Sequence, residues 1–435
     1  MDLLTGNIRK TYFRYLTAAF GSTFIASIYA IVDMAVVGQY HGPDGSAALA
    51  VFAPFWNIIY SIGLMAGIGG SVLYGASRGK CDSTRKANEY FTASLLCGGM
   101  LIAAAWIVIA MFHRPLLIFF GADETLLALA VRYLQPILFT LPFFAFNELL
   151  AAFLRNDGHP GLATAAVLSG GVFNILGDLF FVFALDMGIS GAGLATAMGS
   201  FVTLVILLLH FVGKRNTLRL VKPQQLLRKL AAIIRNGFST CIIDLAMGVM
   251  TILFNRQIMH YLNADALAVY GIIVNISTFV QCCAYSVGQA SQPIISMNFG
   301  AGQHGRIREC LCYSLYTTTA FGIFWTLLSL AFPNLYVHVF MSPTPSVLEI
   351  APDIIRAYSL SFLLLPFNVF STYYFQATLQ PAVSFIISIA RGILISGALI
   401  LLLPLLFGGA SVWYAMLITE TLVALYVVRT LRKPL

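Results

Sequence analysis

Four polar side chains within long apolar stretches have the types and spacing of a small-cation site. Asn174 and Asp178 are four residues apart, so they lie on one face of a helix. Asp33 and Thr196 stand at a similar depth in other apolar stretches, given a rise of about 1.5 Å per helical residue. Their oxygens suit a hard cation, and paired carboxylates also suit a proton. We expect Na⁺ or H⁺ at this site; the alternative is that backbone or water satisfies each carboxylate separately.

Further polar residues in apolar stretches indicate a ligand site. Asp244 stands alone near the middle of its stretch, and we expect it to hold a cationic ligand. Asn147 and Asn368 occupy equivalent positions in an internal repeat, where they either line the ligand cavity or join neighbouring helices by hydrogen bonds. Arg391 and Glu420 are predicted to pair with each other. Aromatic side chains offer faces to cations, and the cavity candidates among them are Phe143, Phe146, Phe279 and Phe367.

The sequence lacks the motifs of the common hydrolase, metalloprotease and nucleotide-binding sites. No HExxH, GxSxG or P-loop pattern occurs, and no histidine has a partner at catalytic spacing. The seven cysteines include no CxxC pair, which favours free thiols over a metal or redox site. We therefore expect neither an enzyme nor a cofactor, apart from the transported Na⁺ or H⁺, and no nucleic-acid partner.

Membrane-spanning helices must position these residues, because the composition excludes a water-soluble fold. Of the 435 residues, 59% are apolar and 10% are charged, and the mean hydropathy is +0.86. A soluble fold lacks the polar surface to cover so many apolar residues, which excludes a secreted protein, a cytosolic enzyme and a disordered chain. At about 20 residues per span, the apolar segments predict twelve helices. They cover 12–37, 50–76, 91–112, 131–153, 161–184, 191–212, 237–261, 266–293, 310–332, 356–378, 382–407 and 411–430.

The distribution of charge predicts the orientation of these helices. Most of the 25 Lys and Arg residues fall on one side of the twelve spans, in the terminal segments and the even-numbered loops. Basic residues collect on the cytoplasmic side of a membrane, so we expect a multi-pass protein of the cell membrane with both termini in the cytoplasm. The net charge of +8 follows from this asymmetry.

The chain also repeats itself at an interval of about 221 residues. Asn147 and Pro160, for example, recur as Asn368 and Pro381. Six helices per repeat give both halves the same orientation, which is typical of several transporter folds. The basic segment between the halves is long and amphipathic, and we expect a helix lying on the anionic inner leaflet. The predicted divisions are an N-lobe at 1–212, a cytoplasmic linker at 213–236 and a C-lobe at 237–435.

Several motifs resemble the multidrug and toxic compound extrusion (MATE) family, in its prokaryotic branch, over nearly the whole chain. They are Ile31–Gly38, Gly121–Glu124, Leu154–Gly158, Gln292–Ile295, and Asn298–Gly302 with Arg306. The resemblance implies two six-helix lobes that export organic cations in exchange for Na⁺ or H⁺. It also implies an N-lobe cation site at Asp33, Asn174, Asp178 and Thr196.

The chain departs from the family pattern in the other lobe and in the first helix. Some members use acidic residues at the positions of Asp244 and Asn368, whereas this chain has an amide at the second. No proline precedes Asp33, so bending of the first helix is not supported as the coupling step. We interpret the protein as a monomeric secondary antiporter for amphipathic organic cations, with the lipid bilayer as its other partner. The alternative is a flippase for a lipid-linked oligosaccharide, whose pyrophosphate requires a more basic cavity.

Overall fold

The apolar segments form long helices, and no strand occurs in the described residues 3–80, 84–214, 216–341 and 344–432 of this computed structural model. Eleven of the described helices are long and apolar enough to cross a bilayer, and a bent pair supplies a twelfth crossing. The predicted all-α membrane fold is therefore confirmed. The first half contains α1 (Ile8–His41), α2 (Pro43–Gly79), α3 (Thr84–Phe119), α4 (Glu124–Leu138), α5 (Leu141–Asn156), α6 (Pro160–Ala184) and α7 (Ile189–Val212). The second half contains α8 (Leu226–Tyr261), α9 (Ala264–Gly300), α10 (His304–Ala331), the short α11 (Pro333–Phe340), α12 (Pro345–Ala377), α13 (Pro381–Phe407) and α14 (Gly409–Leu431).

The helices pack into two units. The first unit consists mainly of Thr17–Cys241, and it includes the last turns of α9 at Ser296–Gly302. The second unit consists mainly of Ile242–Ile295 and Gln303–Leu435, and it includes the first turns of α1 at Ile8–Leu16. The candidate residues on α4 to α7 thus belong to the first unit, and those on α9, α12, α13 and α14 belong to the second. The lobe boundaries at residues 212 and 237 stay a prediction.

The predicted span at 131–153 is broken between α4 and α5, which meet at a bend of 56°. Pro142 stands in the first turn of α5, where its missing N–H does not cost a helical hydrogen bond. The carbonyl groups freed by the bend find other donors. The Trp106 indole donates to the Leu138 carbonyl at 2.6 Å, and the Thr140 hydroxyl donates to the Ile137 carbonyl at 3.0 Å. This satisfaction makes a broken helix tolerable within an apolar span.

The basic segment 213–236 differs from the surface helix expected of it. Residues 216–223 have no regular secondary structure, and α8 begins at Leu226. Backbone amides of the extended part donate to side chains in the first turns of α3. These bonds join Arg219 to Asn88 at 3.0 Å, Val221 to Thr92 at 3.0 Å and Gln224 to Glu89 at 3.1 Å. The segment is therefore fixed to α3, whose polar side chains satisfy the backbone donors that a helix would have used.

Asp157, just after α5, fixes the start of the same segment. Its carboxylate lies 2.8 Å from His210 Nε2, accepts a hydrogen bond from Arg78 at 3.1 Å and accepts the backbone N–H of Thr217 at 3.1 Å. Burial opposes ionisation, but the hydrogen bonds from His210 and Thr217 outweigh it and hold the pKa of Asp157 below its ordinary value. The charged carboxylate thus joins α2, α7 and the extended segment at one point.

Candidate functional site

The predicted cation site begins with Asp33 on α1, which is buried at 7% exposure. The hydroxyl of Tyr133 on α4 donates to Asp33 Oδ2 at 2.6 Å. Tyr133 is itself buried and packs edge-on against Phe52, so its position is fixed by the core. Tyr133 therefore belongs to the site, although it was not among the predicted residues.

Close packing of small residues brings α6 and α7 together. A Cβ on Gly199 would lie 2.8 Å from the carbonyl oxygen of Gly170, so only glycine permits this approach. At this separation Asn174 Nδ2 donates to Thr196 Oγ1 at 3.0 Å. A Cβ on Gly193 would likewise lie 2.3 Å from the carbonyl oxygen of Tyr133, so α4 approaches α7 just as closely. The glycines on these helices therefore set the spacing of the polar groups.

Asp178 completes the site at a change of helical geometry in α6. The residues Asp178–Ala184 form a π-helix, in which the wider turn displaces the following side chains. Such π-helical turns are rare and occur frequently at functional sites. Asp178 is fully buried at 0% exposure, and its charge interacts with that of Asp33. The structure thus joins Asn174 with Thr196 by a hydrogen bond and places Asp178 where its charge acts on Asp33, whereas cation binding by these four residues stays a prediction.

Four oxygen atoms of this site have no hydrogen-bond donor among the described residues. Asp33 Oδ1, Asn174 Oδ1 and both carboxylate oxygens of Asp178 are buried and accept no hydrogen bond from the described residues. Neither carboxylate has a basic partner within the described part of the chain. An unpaired buried acceptor costs free energy, and an unpaired buried charge costs more. A site with this donor deficit is suited to a small cation or a proton, which would supply the missing positive charge.

Asp244 lies in other surroundings, on α8 in the second unit. The hydroxyl of Tyr285 stands 3.3 Å from Asp244 Oδ1 and 3.3 Å from Gln281 Oε1. Asp244 is partly exposed, whereas Gln281 is buried. The Oδ2 atom of Asp244 is itself buried, and the expected role of this carboxylate in holding a cationic ligand stays a prediction.

The two repeat-related asparagines each donate to a backbone carbonyl of a neighbouring helix. Asn147 Nδ2 donates to the Ser200 carbonyl at 3.0 Å, and Asn368 Nδ2 donates to the Glu420 carbonyl at 2.8 Å. Asn368 also donates to Glu420 Oε2 at 2.6 Å. Both asparagines are buried, with 6% and 0% exposure. The helix-joining role considered for them therefore has direct contacts, whereas their place in a cargo cavity stays a prediction.

The predicted pairing of Arg391 with Glu420 is confirmed. Arg391 Nε lies 2.6 Å from Glu420 Oε1, and both side chains are buried. Arg391 stands in a second π-helical turn, Ala390–Leu394, within α13. With Asn368 on its other oxygen, the Glu420 carboxylate has both a counterion and an amide donor, in contrast to the carboxylates of Asp33 and Asp178.

The four aromatic cavity candidates are all partly buried. Phe143 packs at 6.1 Å from Phe201, and Phe279 stacks on Trp325 at 6.3 Å between ring centroids. The other two candidates are Phe146 and Phe367. Phe146 packs against the hydrophobic core of its own unit. These contacts place the rings within their units, and their part in cargo binding stays a prediction.

Comparisons with known proteins give the same family as the sequence motifs. The MatE family model matches residues 18–180 and 240–400. The Multidrug export protein MepA of Staphylococcus aureus strain MRSA252 is 24% identical over 410 residues, which cover 93% of this chain and 89% of MepA. Among solved structures, a MATE transporter in the straight conformation superposes with a TM-score of 0.91 at 19% identity, over 98% of this chain and 96% of that one.

A second solved structure is a MOP superfamily transporter from Pyrococcus furiosus, described as having a binding pocket of reversed polarity that suggests a different function. It superposes with a TM-score of 0.89 at 20% identity, over 98% of this chain and 96% of that one. At this identity the superposition establishes the shared fold, in which this chain is a multi-pass membrane protein. Because the family model matches well over half of its residues, in both halves of the repeat, the chain belongs to the multidrug and toxic compound extrusion (MATE) family.

Proposed function

We propose that this protein is a secondary antiporter that exports amphipathic organic cations in exchange for Na⁺ or H⁺. The observation that carries the proposal is a set of buried oxygens in the first unit, on Asp33, Asn174 and Asp178, to which none of the described residues donates a hydrogen bond. They provide the positions that a mobile cation would fill. The relationship to MepA, which is named as a multidrug export protein, supports export of varied compounds as the use of this ion site.

The ion would act by changing the balance between transporter conformations. Na⁺ or H⁺ at Asp33 and Asp178 removes the repulsion between two buried carboxylates, so the ion-bound site favours a closed arrangement of α1, α6 and α7. Tyr133 holds one oxygen of Asp33 by a hydrogen bond and leaves the other for the ion. An ion that binds one conformation more tightly shifts the equilibrium toward it, and this shift drives alternating access.

The cargo would be selected by charge and by aromatic surface. Asp244 is partly exposed in the second unit, and it attracts a cation strongly where the dielectric constant is low. Aromatic faces add attraction for cations, and Asn147 and Asn368 provide polar groups. The proposed aromatic contacts are Phe143, Phe146, Phe279 and Phe367.

The proposed membrane location and orientation of the protein follow from the distribution of its Lys and Arg residues. The excess of Lys and Arg in the terminal segments and even-numbered loops supports a cell-membrane protein with both termini in the cytoplasm. Export against a gradient then requires only the membrane, the coupling ion and the cargo. We propose that the monomer carries out this cycle without a resident cofactor or a nucleic-acid partner.

The test is transport by the purified protein in lipid vesicles. A fluorescent organic cation is placed on the side from which it is to be exported, and Na⁺ and pH gradients are imposed independently. We expect at least one gradient to concentrate the dye, and an ionophore that collapses the same gradient to abolish this. If neither gradient moves the dye in vesicles whose protein is folded and correctly inserted, the antiport proposal is wrong.

A further inference from the structure

Three side chains of types that bind metals meet at one end of the first unit, roughly four helical turns along α7 from Thr196. They are Asp157 just after α5, His159 just before α6 and His210 in the last turn of α7. One ligand atom from each of these residues lies within 4.8 Å of the other two. Imidazole nitrogens and carboxylate oxygens are ligands that Zn²⁺ takes in proteins. The cluster therefore has the composition of a three-residue zinc site.

The distances within the cluster are close to those of a metal site. His210 Nε2 lies 2.8 Å from Asp157 Oδ2, and the ring of His159 packs edge-on against that of His210 at 4.6 Å between centroids. Zinc binds nitrogen and oxygen at about 2.0–2.2 Å, so two ligand atoms of one ion lie at most about 4.2 Å apart. Asp157 and His210 are buried, whereas His159 is partly exposed. A small rotation of His159 completes the site, and its exposed side admits the ion from water.

Hydrogen bonds around the cluster orient its ligands. His159 Nδ1 donates to the backbone carbonyl of Asp157 at 2.9 Å, so Nε2 of the neutral ring keeps its lone pair. That nitrogen has no hydrogen-bond partner among the described residues. Metal-binding histidines almost always donate their second N–H to such an acceptor.

The Asp157 carboxylate is shared with groups outside the ligand set. Arg78 donates to Oδ1 at 3.1 Å, and the Thr217 N–H donates to Oδ2 at 3.1 Å. These donors favour the ionised carboxylate, which a metal requires. The charge of Arg78 also opposes a divalent ion, so binding depends on both imidazoles.

We propose that Asp157, His159 and His210 bind a Zn²⁺ ion that holds the end of α7 to the connection between α5 and α6. The ion displaces the proton that His210 Nε2 donates to Asp157 Oδ2, and this proton passes to water. Water on the exposed side of His159 completes a four-coordinate geometry. The ion takes no part in the proposed exchange of cargo for Na⁺ or H⁺, so the two proposals are tested separately.

The experiment measures binding of Zn²⁺ to the full-length protein, purified in detergent without a histidine tag, by isothermal titration calorimetry. Mg²⁺ is the comparison ion, because it prefers an octahedron of oxygen ligands. His159→Gln removes a ligand at a partly exposed position, and His210→Gln removes a buried one. His304→Gln, at an exposed histidine that begins α10, is the matched control. Thermal unfolding of each protein is measured with and without Zn²⁺.

We expect the parent to bind one Zn²⁺ and to unfold at a higher temperature in its presence, because an ion that prefers the folded state stabilises it. His159→Gln and His210→Gln are expected to bind Zn²⁺ at least about tenfold more weakly, since even an outer-shell partner contributes that much. If His210→Gln does not fold, His159→Gln decides the question. The inference is wrong if the parent binds no Zn²⁺ or binds Mg²⁺ equally well. It is also wrong if folded His159→Gln binds Zn²⁺ like the parent, or if His304→Gln loses as much affinity.

Discussion

In the first unit, Asp33 and Asp178 are buried and near enough for their charges to interact, and three of their four carboxylate oxygens have no hydrogen-bond donor among the described residues. In the second unit, the buried carboxylate of Glu420 is paired with Arg391 at 2.6 Å and with Asn368 at 2.6 Å. Within the described residues, Asp33 and Asp178 therefore have no basic partner, whereas Glu420 has a tethered one in Arg391. The proposed antiport uses this difference, because a mobile cation would take the place at Asp33 and Asp178 that Arg391 takes beside Glu420.

The two units share an interhelical hydrogen bond at equivalent positions of the repeat. Asn368 lies 221 positions after Asn147, and Glu420 lies 220 positions after Ser200. Each asparagine donates to the backbone carbonyl of its partner, so the same interhelical joint occurs in both halves of the repeat. The repeat therefore conserves the joint, while the side chain at the acceptor position changes from a serine to a glutamate. The units share their architecture and differ in the charge they hold.

The largest expected effect concerns the carboxylates of the first unit. Asp33→Asn and Asp178→Asn keep the size of the side chain and remove its charge, so the ion no longer distinguishes one conformation from the other. Gradient-driven export of a cationic dye is expected to fall by about a hundredfold or more. Binding of the dye without a gradient is expected to survive. Export and equilibrium binding are measured with the same purified proteins in vesicles and detergent.

Asp123→Asn is the matched control for these variants. Asp123 is exposed and caps the start of α4 by accepting the Leu126 N–H at 2.8 Å, a role that asparagine also performs. Gradient-driven export of the dye by the Asp123→Asn variant is expected to equal export by the parent protein. Concentration of dye by Asp33→Asn at the parental rate would show that the unpaired oxygens of the first unit are not the coupling site.

The next effect concerns stability in the second unit. Glu420→Gln leaves the Arg391 charge buried without a counterion, which costs roughly 3 kcal/mol or more. The double variant Arg391→Gln with Glu420→Gln is expected to recover most of this loss, because no unpaired charge remains. Thermal unfolding in detergent measures both. Asp178→Asn breaks no ion pair of the described residues, so the variant is expected to unfold at the parental temperature or above it. If Asp178→Asn and Glu420→Gln lowered the unfolding temperature equally, the two carboxylates would not differ in their dependence on a counterion.

The sequence was sufficient for the all-helical membrane fold and for the shared helix face of Asn174 and Asp178, whereas the four-residue cation site stays a prediction. Long apolar segments admit only helices in a bilayer, and the four-residue spacing of Asn174 and Asp178 fixes their shared face. The pairing of Arg391 with Glu420 was also predictable, because two opposite charges in apolar helices must find partners. These features depend on local periodicity and on charge, which a single sequence displays directly.

Other features depend on contacts that periodicity does not encode. Tyr133 reaches Asp33 across 100 positions of the chain, through the close approach of α4 to Gly193. The extended path of 216–223 depends on polar side chains of α3 that satisfy its backbone donors. The apolar content of 131–153 predicts a continuous span, whereas Trp106 and Thr140 stabilise the break by binding the freed carbonyls.

The smallest expected effect compares the shared joint in the two units. Asn147→Ala loses a neutral hydrogen bond to the Ser200 carbonyl, which is worth about 1 kcal/mol. Asn368→Ala loses a similar bond and also the bond to the charged Glu420 carboxylate, so its cost is expected to be about 2–3 kcal/mol. Thermal unfolding of the two variants in the same detergent gives the difference. Equal losses would mean that the Glu420 carboxylate does not depend on Asn368. Loss of the interhelical hydrogen bond alone is expected to lower the unfolding temperature before it alters dye binding. If Asn147→Ala instead abolished dye binding and still unfolded at the parental temperature, Asn147 would belong to the cargo cavity.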